Sequence, residues 1–338
     1  MTENRTSLRR GLAVTAVAVA ALAAAGCAAD AEPQAAPTPS ASCAPAWEPG
    51  RTDLDYTFEG AERHVSVFMP EGADPAAAVF ALHGSNNNVD LILGVSELER
   101  TAAEEGFVLV VPQGSVPGNA DGLWAWNVPG VVTTAEVGAP TESADDVSFL
   151  ADLVDRVKTE GCVDTVFATG YSGGGRMISA TACERPGLFD AIAPVDGLRA
   201  GVPQQQSDGS WAPDPATCDP AAGTPVLSFA GTADPINPYD GGGAGYWQYG
   251  VQTAVERWAA IDGCGEPGVE SPTAGVSVTT YTQCGDGPVV SYVVDGMGHT
   301  WPGHALETQA GYASVLGATT DLVDANAIMW DFFAAQLS

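Results

Sequence analysis

Basic residues are scarce in this chain. Its 338 residues carry 12 Lys and Arg against 42 Asp and Glu, a formal net charge of -30. That sign repels phosphate backbones and acidic headgroups, which argues against a nucleic-acid partner and against adhesion to anionic membranes. Charged residues are only 16% of the chain, so the acidity reflects missing cations and reads as a solubility feature. The same shortage leaves few clamps for an anionic substrate, and an uncharged one is expected. Histidine is also rare: His64, His83, His299 and His304 are the whole supply. No Cys-x-x-Cys occurs, and His299 with His304 lacks a third ligand, so no metal site is expected.

The N-terminus reads as a targeting segment. Arg5, Arg9 and Arg10 precede an apolar run from Gly11 to Ala25, short for a bilayer span and of signal-peptide length. Ala24-Ala25-Gly26-Cys27 resembles a bacterial lipobox, with Ala24 where Leu is usual. Residues 1–26 are expected to be a lipoprotein signal peptide, with Cys27 lipidated. Residues 27–50, rich in Ala and Pro, read as a tether, and residues 51–338 as one folded domain. The expected location is the cell surface, held to the membrane only through the lipid. Of 7 cysteines, 6 remain beside Cys27, an even number that predicts disulfides in an exported chain. Cys264–Cys284 would bracket a helix-to-strand connection. Cys183–Cys218 would tie a polar insertion to a helix, which leaves Cys43–Cys162.

The 45% hydrophobic content supports a large core, and short apolar strands alternate with helical periodicity. Strands are expected at 63–69, 78–82, 107–111, 166–169, 189–195, 226–230, 276–282 and 289–294. Ser143-Ala-Asp-Asp146 should cap a helix carrying Val147, Leu150, Val154 and Val157. Further helices are expected after Ser172, at 251–261 and at 318–337, with a polar insertion at 196–224. This alternation implies an α/β fold with a mostly parallel sheet, helices on both faces, and a site at the carboxyl ends of the strands.

One stretch carries the chemistry. A strand-type run ends in Gly170-Tyr171-Ser172-Gly173-Gly174 and passes directly into a helix, the pattern of a nucleophile elbow. It exposes the Ser172 hydroxyl and sets the Gly173 N–H to bind an oxyanion. A serine needs a base. His299 follows the last strand, with His304 the second choice. The acid should lie between Ser172 and His299 at a strand end, where Asp234 fits and Asp240 and Asp295 are rivals. His83-Gly84-Ser85 follows an early buried strand, and the Ser85 N–H is the expected second oxyanion donor. His83 reads as a loop-stabilising residue and His64 as a strand surface residue.

Several segments together resemble one family. They are Leu82-His-Gly84, Asp145-Asp-Val-x-Phe149, Val166-x-Ala-Thr-Gly-Tyr-Ser172, Phe189-x-Ala-Ile-Ala-Pro194, Gly231-Thr-Ala-Asp-Pro235 with Pro238-Tyr-Asp-Gly241, and Gly298-His-Thr-Trp-Pro-Gly303. In order and spacing they resemble the polyhydroxybutyrate depolymerase-like and feruloyl or acetylxylan esterase-like α/β-hydrolases, from about Arg51 onward. The resemblance implies an α/β-hydrolase fold and ester hydrolysis through an acyl-enzyme without a cofactor. It also implies Ser172 as nucleophile, Asp234 as acid and His299 as base. The chain departs from the family pattern at Ala230, Met297 and Gly173, all near the pocket.

A small or oligomeric ester is the expected substrate. Trp124, Trp126 and Trp301 are candidates to line the cleft, since an indole face suits a sugar ring or an aromatic acyl group. No separate binding module for a solid polyester is apparent in the sequence, which favours soluble esters: acetylated or feruloylated sugars, or short hydroxyalkanoates. Two other readings share these residues: an acyltransferase, which forms the same acyl-enzyme, and a non-catalytic binding lipoprotein.

Overall fold

The structure is a computed structural model that describes residues 43–72, 75–131, 145–304 and 310–337. The signal segment, Cys27, the start of the tether and the Ser143 end of the expected cap lie outside the described residues. No helix among the described residues is long and apolar enough to cross a membrane.

Ten strands form the central sheet: β1 (Gly50–Phe58), β2 (Ala61–Met69), β3 (Ala78–Leu82), β4 (Val108–Pro112), β5 (Val166–Tyr171), β6 (Ala191–Val195), β7 (Val226–Gly231), β8 (Gly268–Glu270), β9 (Val276–Tyr281) and β10 (Val289–Val294). Their spatial order is β1-β2-β4-β3-β5-β6-β7-β10-β9-β8. The six strands from β4 to β10 run parallel, with β1 and β2 antiparallel at one edge and β9 and β8 at the other. Strands β3 to β7 are buried along their whole length, as apolar runs covered on both faces must be.

The helices are α1 (Val89–Ser96), α2 (Leu98–Glu105), α3 (Asp146–Gly161), α4 (Gly173–Glu184), α5 (Val251–Ile261), α6 (Ala310–Leu316) and α7 (Ala325–Ala334). Alternate residues of β3 sort into two cores. Phe80 and Leu82 join Leu150 of α3, Ile178 of α4 and Trp258 of α5. Val79 and Ala81 join Ile92 of α1, Leu98 of α2 and Phe333 of α7. That is the period-two alternation of a strand with helices above and below. Phe333 stacks on Phe167 of β5 at 4.6 Å between centroids, which fixes α7 beneath the strand that leads into Ser172.

Strand order reverses between β3 and β5: from β3 the chain moves outward to β4, and from β5 it moves the other way. A crevice opens at such a switch point, beyond the carboxyl ends of the strands. Ser85 and Ser172 both lie there.

Three expectations are corrected. The folded unit begins at Cys43 rather than Arg51. Cys43 is bonded to Cys162, the Ala46 N–H donates to the Glu160 carbonyl at 2.7 Å, and Trp47 packs against Gly161. The C-terminal helix starts at Ala325, not residue 318, because Asp324 caps it by accepting from the N–H groups of Asn326 and Ala327. The opening of the 196–224 insertion is not a polar cover: residues Asp196 to Ala200 are buried. The structure also joins Cys183 to Cys218 and Cys264 to Cys284.

Candidate active site

The turn after β5 is tight because its glycines let backbones touch. A Cβ on Gly170 would sit 2.4 Å from the Gly174 carbonyl carbon, and one on Gly174 would sit 2.1 Å from the Leu82 oxygen. Ser172 between them has φ 53° and ψ -111°. That conformation is costly for a residue with a side chain and persists only where the surroundings enforce it. The Ser172 N–H donates to the Val195 carbonyl at 2.8 Å, and the Ser172 carbonyl accepts from the Arg176 N–H at 3.0 Å. The turn is thus locked to β6 on one side and to α4 on the other.

Asp234 and His299 lie on the loops after β7 and β10. His299 Nδ1 lies 2.7 Å from Asp234 Oδ2. Both residues are buried, at 3% and 6% exposure, so the contact is little screened by solvent. The other oxygen, Asp234 Oδ1, accepts from the N–H groups of Ile236 at 2.7 Å and Asn237 at 2.8 Å. Those bonds fix the plane of the carboxyl group. The partner of the His299 imidazole is therefore Asp234. Asp240 is exposed, and Asp295 instead accepts from the Thr232 hydroxyl at 2.9 Å. His304 is buried elsewhere, with Nδ1 3.8 Å from a Glu97 oxygen.

The backbone of His299 is held by Tyr171, the residue before Ser172. The Tyr171 hydroxyl donates to its carbonyl at 2.5 Å, and the two rings lie 5.1 Å apart. Ser85 and Gly173 face each other: a Cβ on Gly173 would lie 2.9 Å from the Ser85 nitrogen and 2.4 Å from its hydroxyl. The Ser85 side chain thus fills the space that a larger residue at 173 would need.

No family model matches the chain. Among curated proteins, it is 31% identical over 273 residues to "Putative esterase NocK" of Nocardia uniformis subsp. tsuyamanensis, covering 74% of this chain and 71% of that protein. The chain belongs to the feruloyl and acetylxylan esterase-like α/β-hydrolases. It is 26% identical to "Probable feruloyl esterase C" of Aspergillus niger over 81% of its own length and 84% of that relative's. To feruloyl esterase B of Piromyces equi it is 30% identical over 185 residues, spanning only 31% of that larger protein. The fold agrees with a solved acetyl xylan esterase from Aspergillus awamori at TM-score 0.52, with 16% identity and 74% and 94% of the two chains covered. The protein is a carboxylic ester hydrolase.

Within this esterase, two of the three expected cleft tryptophans are not available to a substrate. Trp301 is fully buried and donates Nε1–H to Asn326 Oδ1 at 2.9 Å. Trp126 is 2% exposed and donates to the His83 carbonyl at 2.8 Å. Both indoles belong to the core, where an N–H that finds a partner makes burial of a Trp cheap. Trp124 is half-buried, in a two-residue ribbon (Trp124–Ala125) paired with Val116–Pro117. His83 sits in the interior, with Nε2 accepting from the Gly114 N–H at 2.9 Å and Nδ1 2.7 Å from the Gly84 carbonyl. Burial pushes its pKa down to about 4, so the ring is neutral and holds the loop that carries Ser85.

Asp196 escaped the sequence reading. It follows β6 directly, is buried, and has φ 50°. Ligand-type atoms of Asp196, Asp234 and His299 lie within 4.8 Å of one another. Its carbonyl accepts from Asn237 Nδ2 at 2.6 Å, which ties the loop of Asp234 to the end of β6. The available signal was an acidic residue immediately beyond a wholly apolar strand, the same signal that marks Asp234.

Proposed function

We propose that this protein hydrolyses carboxylic esters with Ser172 as nucleophile, His299 as base and Asp234 as the residue that orients the base. The observation that carries this reading is the buried 2.7 Å contact between His299 Nδ1 and Asp234 Oδ2, on loops that flank the Ser172 turn. With Nδ1–H given to the carboxylate, Nε2 is the ring atom that accepts the Ser172 proton. Ser172 Oγ then bonds to the ester carbon, and the developing oxyanion is received by the N–H groups of Gly173 and Ser85. His299 returns the proton to the departing alcohol as the carbon–oxygen bond breaks. Water repeats the sequence on the acyl-enzyme and releases the acid. The chain's own residues supply every proton transfer, with no cofactor in the scheme.

Relatives that carry the name feruloyl esterase make a feruloyl ester the first substrate to try, followed by acetylated xylo-oligosaccharide and short hydroxybutyrate oligomers. Three disulfides support an oxidising, extracellular location. Anchoring through Cys27 is proposed on the lipobox-like sequence alone, and Cys27→Ser should move the protein from the membrane fraction to the medium or leave it unprocessed.

Ser172→Ala should lower turnover of a short aryl ester by roughly 10⁴- to 10⁶-fold and abolish labelling by a fluorophosphonate. Retained turnover would overturn the assignment. Product analysis with added acceptor alcohols separates hydrolysis, the expected outcome, from acyl transfer.

A further inference from the structure

Two buried guanidinium groups stand beside the oxyanion site. Arg176, one turn into α4, is 3% exposed, and Arg199, just after β6, is 6% exposed. Both line a cavity of about 360 Å³ bounded on its apolar side by Val128, Val131, Ala180 and Val202. Among the described residues, Arg176 Nε and Nη1 and Arg199 Nη2 have no hydrogen-bond partner. Neither guanidinium is paired with a carboxylate there. Glu184 and Asp219 also border the cavity, but Asp219 is exposed and lies 3.9 Å from Arg257 instead.

The remaining contacts of both side chains leave their edges for a ligand. Arg176 lies 3.9 Å over the ring of Tyr246, interacts with the Tyr246 hydroxyl as well, and donates from Nη2 to the Ser85 hydroxyl at 3.1 Å. Arg199 lies 3.5 Å from the centroid of Trp247 and 4.0 Å from that of Tyr249. Its Nε donates to the Leu198 carbonyl, and its Nη1 donates to the carbonyls of Trp247 and Tyr249. Aromatic rings thus cover the guanidinium faces, and the open N–H groups lie in the guanidinium planes. A planar carboxylate is the group that such edges bind best. Burying a cation without a counter-charge is costly, and a ligand anion would offset that cost. The cavity reaches the chemistry through Arg176, whose Nη2 would lie 3.2 Å from a Cβ on Gly173.

We infer that this cavity is a subsite for a carboxylate carried by the substrate, so that the preferred ester is anionic. The inference rests on the esterase reading above and departs from the uncharged ester expected from the composition. Scarcity of cations across the whole chain says nothing about where the few lie, and two of the 12 are buried together at the site.

The test uses matched ester pairs on the full protein. On the acyl side, mono(4-nitrophenyl) glutarate is compared with its methyl-capped neutral counterpart. On the alcohol side, 4-butyryloxybenzoate is compared with its methyl ester. In one of the two pairs the anionic member should show kcat/KM about 10- to 100-fold above the neutral one, the range for charge-assisted hydrogen bonds. Arg199→Gln and Arg176→Gln should each bring that ratio toward unity, with Arg199→Lys restoring part of it. Calorimetry on Ser172→Ala should show the preferred anionic ester binding at least tenfold more tightly than its neutral partner. Equal kcat/KM within both pairs would overturn the inference while leaving the esterase reading intact. Inactivity on all four esters would instead count against the esterase reading, and the calorimetric comparison would then decide the subsite by itself.

Discussion

The hydroxyl of Tyr171 donates to the backbone carbonyl of His299 across 128 positions of sequence, at 2.5 Å. The residue that precedes Ser172, the proposed nucleophile, therefore holds the peptide of His299, the proposed base. Tyr171→Phe keeps the ring, which lies 5.1 Å from the imidazole, and deletes this bond. The variant should lose roughly 1 kcal/mol of stability, the net worth of a typical hydrogen bond. Its kcat should fall about tenfold with KM changed by less than about threefold, because misplaced catalytic groups weaken the transition state more than substrate binding. Steady-state kinetics on a neutral aryl ester measures both. An unchanged kcat would mean that the bond from the His299 N–H to the Leu316 carbonyl, at 2.6 Å, is enough to place the base.

The acid can be tested against its rivals. Asp234→Asn should cost on the order of 10⁴-fold in kcat, as loss of the orienting carboxylate does in other triads. Asp240→Asn and Asp295→Asn should each stay within about threefold of the parent, as expected for surface substitutions away from the reacting groups. A crippled Asp240→Asn with an active Asp234→Asn would reverse the assignment.

Sequence patterns revealed most of what local chemistry fixes. The Ser172 turn, the buried strands at 78–82 and 289–294 and the helix at 251–261 are each announced by their own residues. Of the edge hairpin only β2 was read: β1 alternates half-buried and exposed positions over most of its length, so it has no apolar run to mark it. Helices α1 and α2 are eight residues each, too short to establish a period. Trp126 and Trp301 were misassigned because an indole that lines a cleft and one that fills a core look alike in sequence. Arg199 was missed for a related reason. Its significance comes from the Trp247 and Tyr249 region brought near it by the fold, and nothing in its own neighbourhood signals it.

Two buried ionisable groups give opposite pH signatures. The folded-state pKa of His83 is lowered to about 4 by burial, from the ordinary imidazole value of 6.5. Between those values the unfolded chain binds more protons, so this group's contribution to stability rises with pH across the window and is lost as pH falls through it. It amounts to about 3 kcal/mol at neutral pH. His83→Gln should therefore be less destabilising at about pH 4.5 than at about pH 7.5 in urea titrations. A pH-independent difference would show that His83 is charged in the fold or solvated.

Asp262 behaves in the reverse sense. Burial, with Asp286 nearby, raises its pKa to about 7. The folded state then holds the extra proton, so this stabilisation is present below the unfolded pKa and disappears as pH rises through about 7. Asn can still accept from the Thr224 N–H, which now meets Asp262 Oδ1 at 3.1 Å. Asp262→Asn should thus raise Tm more at about pH 8 than at about pH 4, measurable by calorimetry in matched buffers. A variant no more stable than the parent at either pH would place the ionised carboxylate in a favourable setting.

The Cys183–Cys218 bond joins α4 to the far end of the segment that borders the cavity. The Cys183→Ala/Cys218→Ala double variant should lose about 2–4 kcal/mol. Because Arg199 and Thr217 lie within that loop, the loss should be accompanied by increased hydrogen exchange between residues 199 and 217. Exchange confined to the C-terminus of α4 would show that the loop is held by its own contacts.

The Cys43–Cys162 bond also sets how the domain would bear a mechanical load. Tension applied to the chain ahead of Cys43 reaches the disulfide before it reaches β1, so it passes covalently into the end of α3. The antiparallel β1–β2 edge, which could otherwise be peeled open one hydrogen-bonded pair at a time, lies outside that line of force. An intact bond therefore makes detachment by shear a matter of pulling out α3 with its buried Leu150, Leu153 and Val157. Reduction would return the weak point to the hairpin.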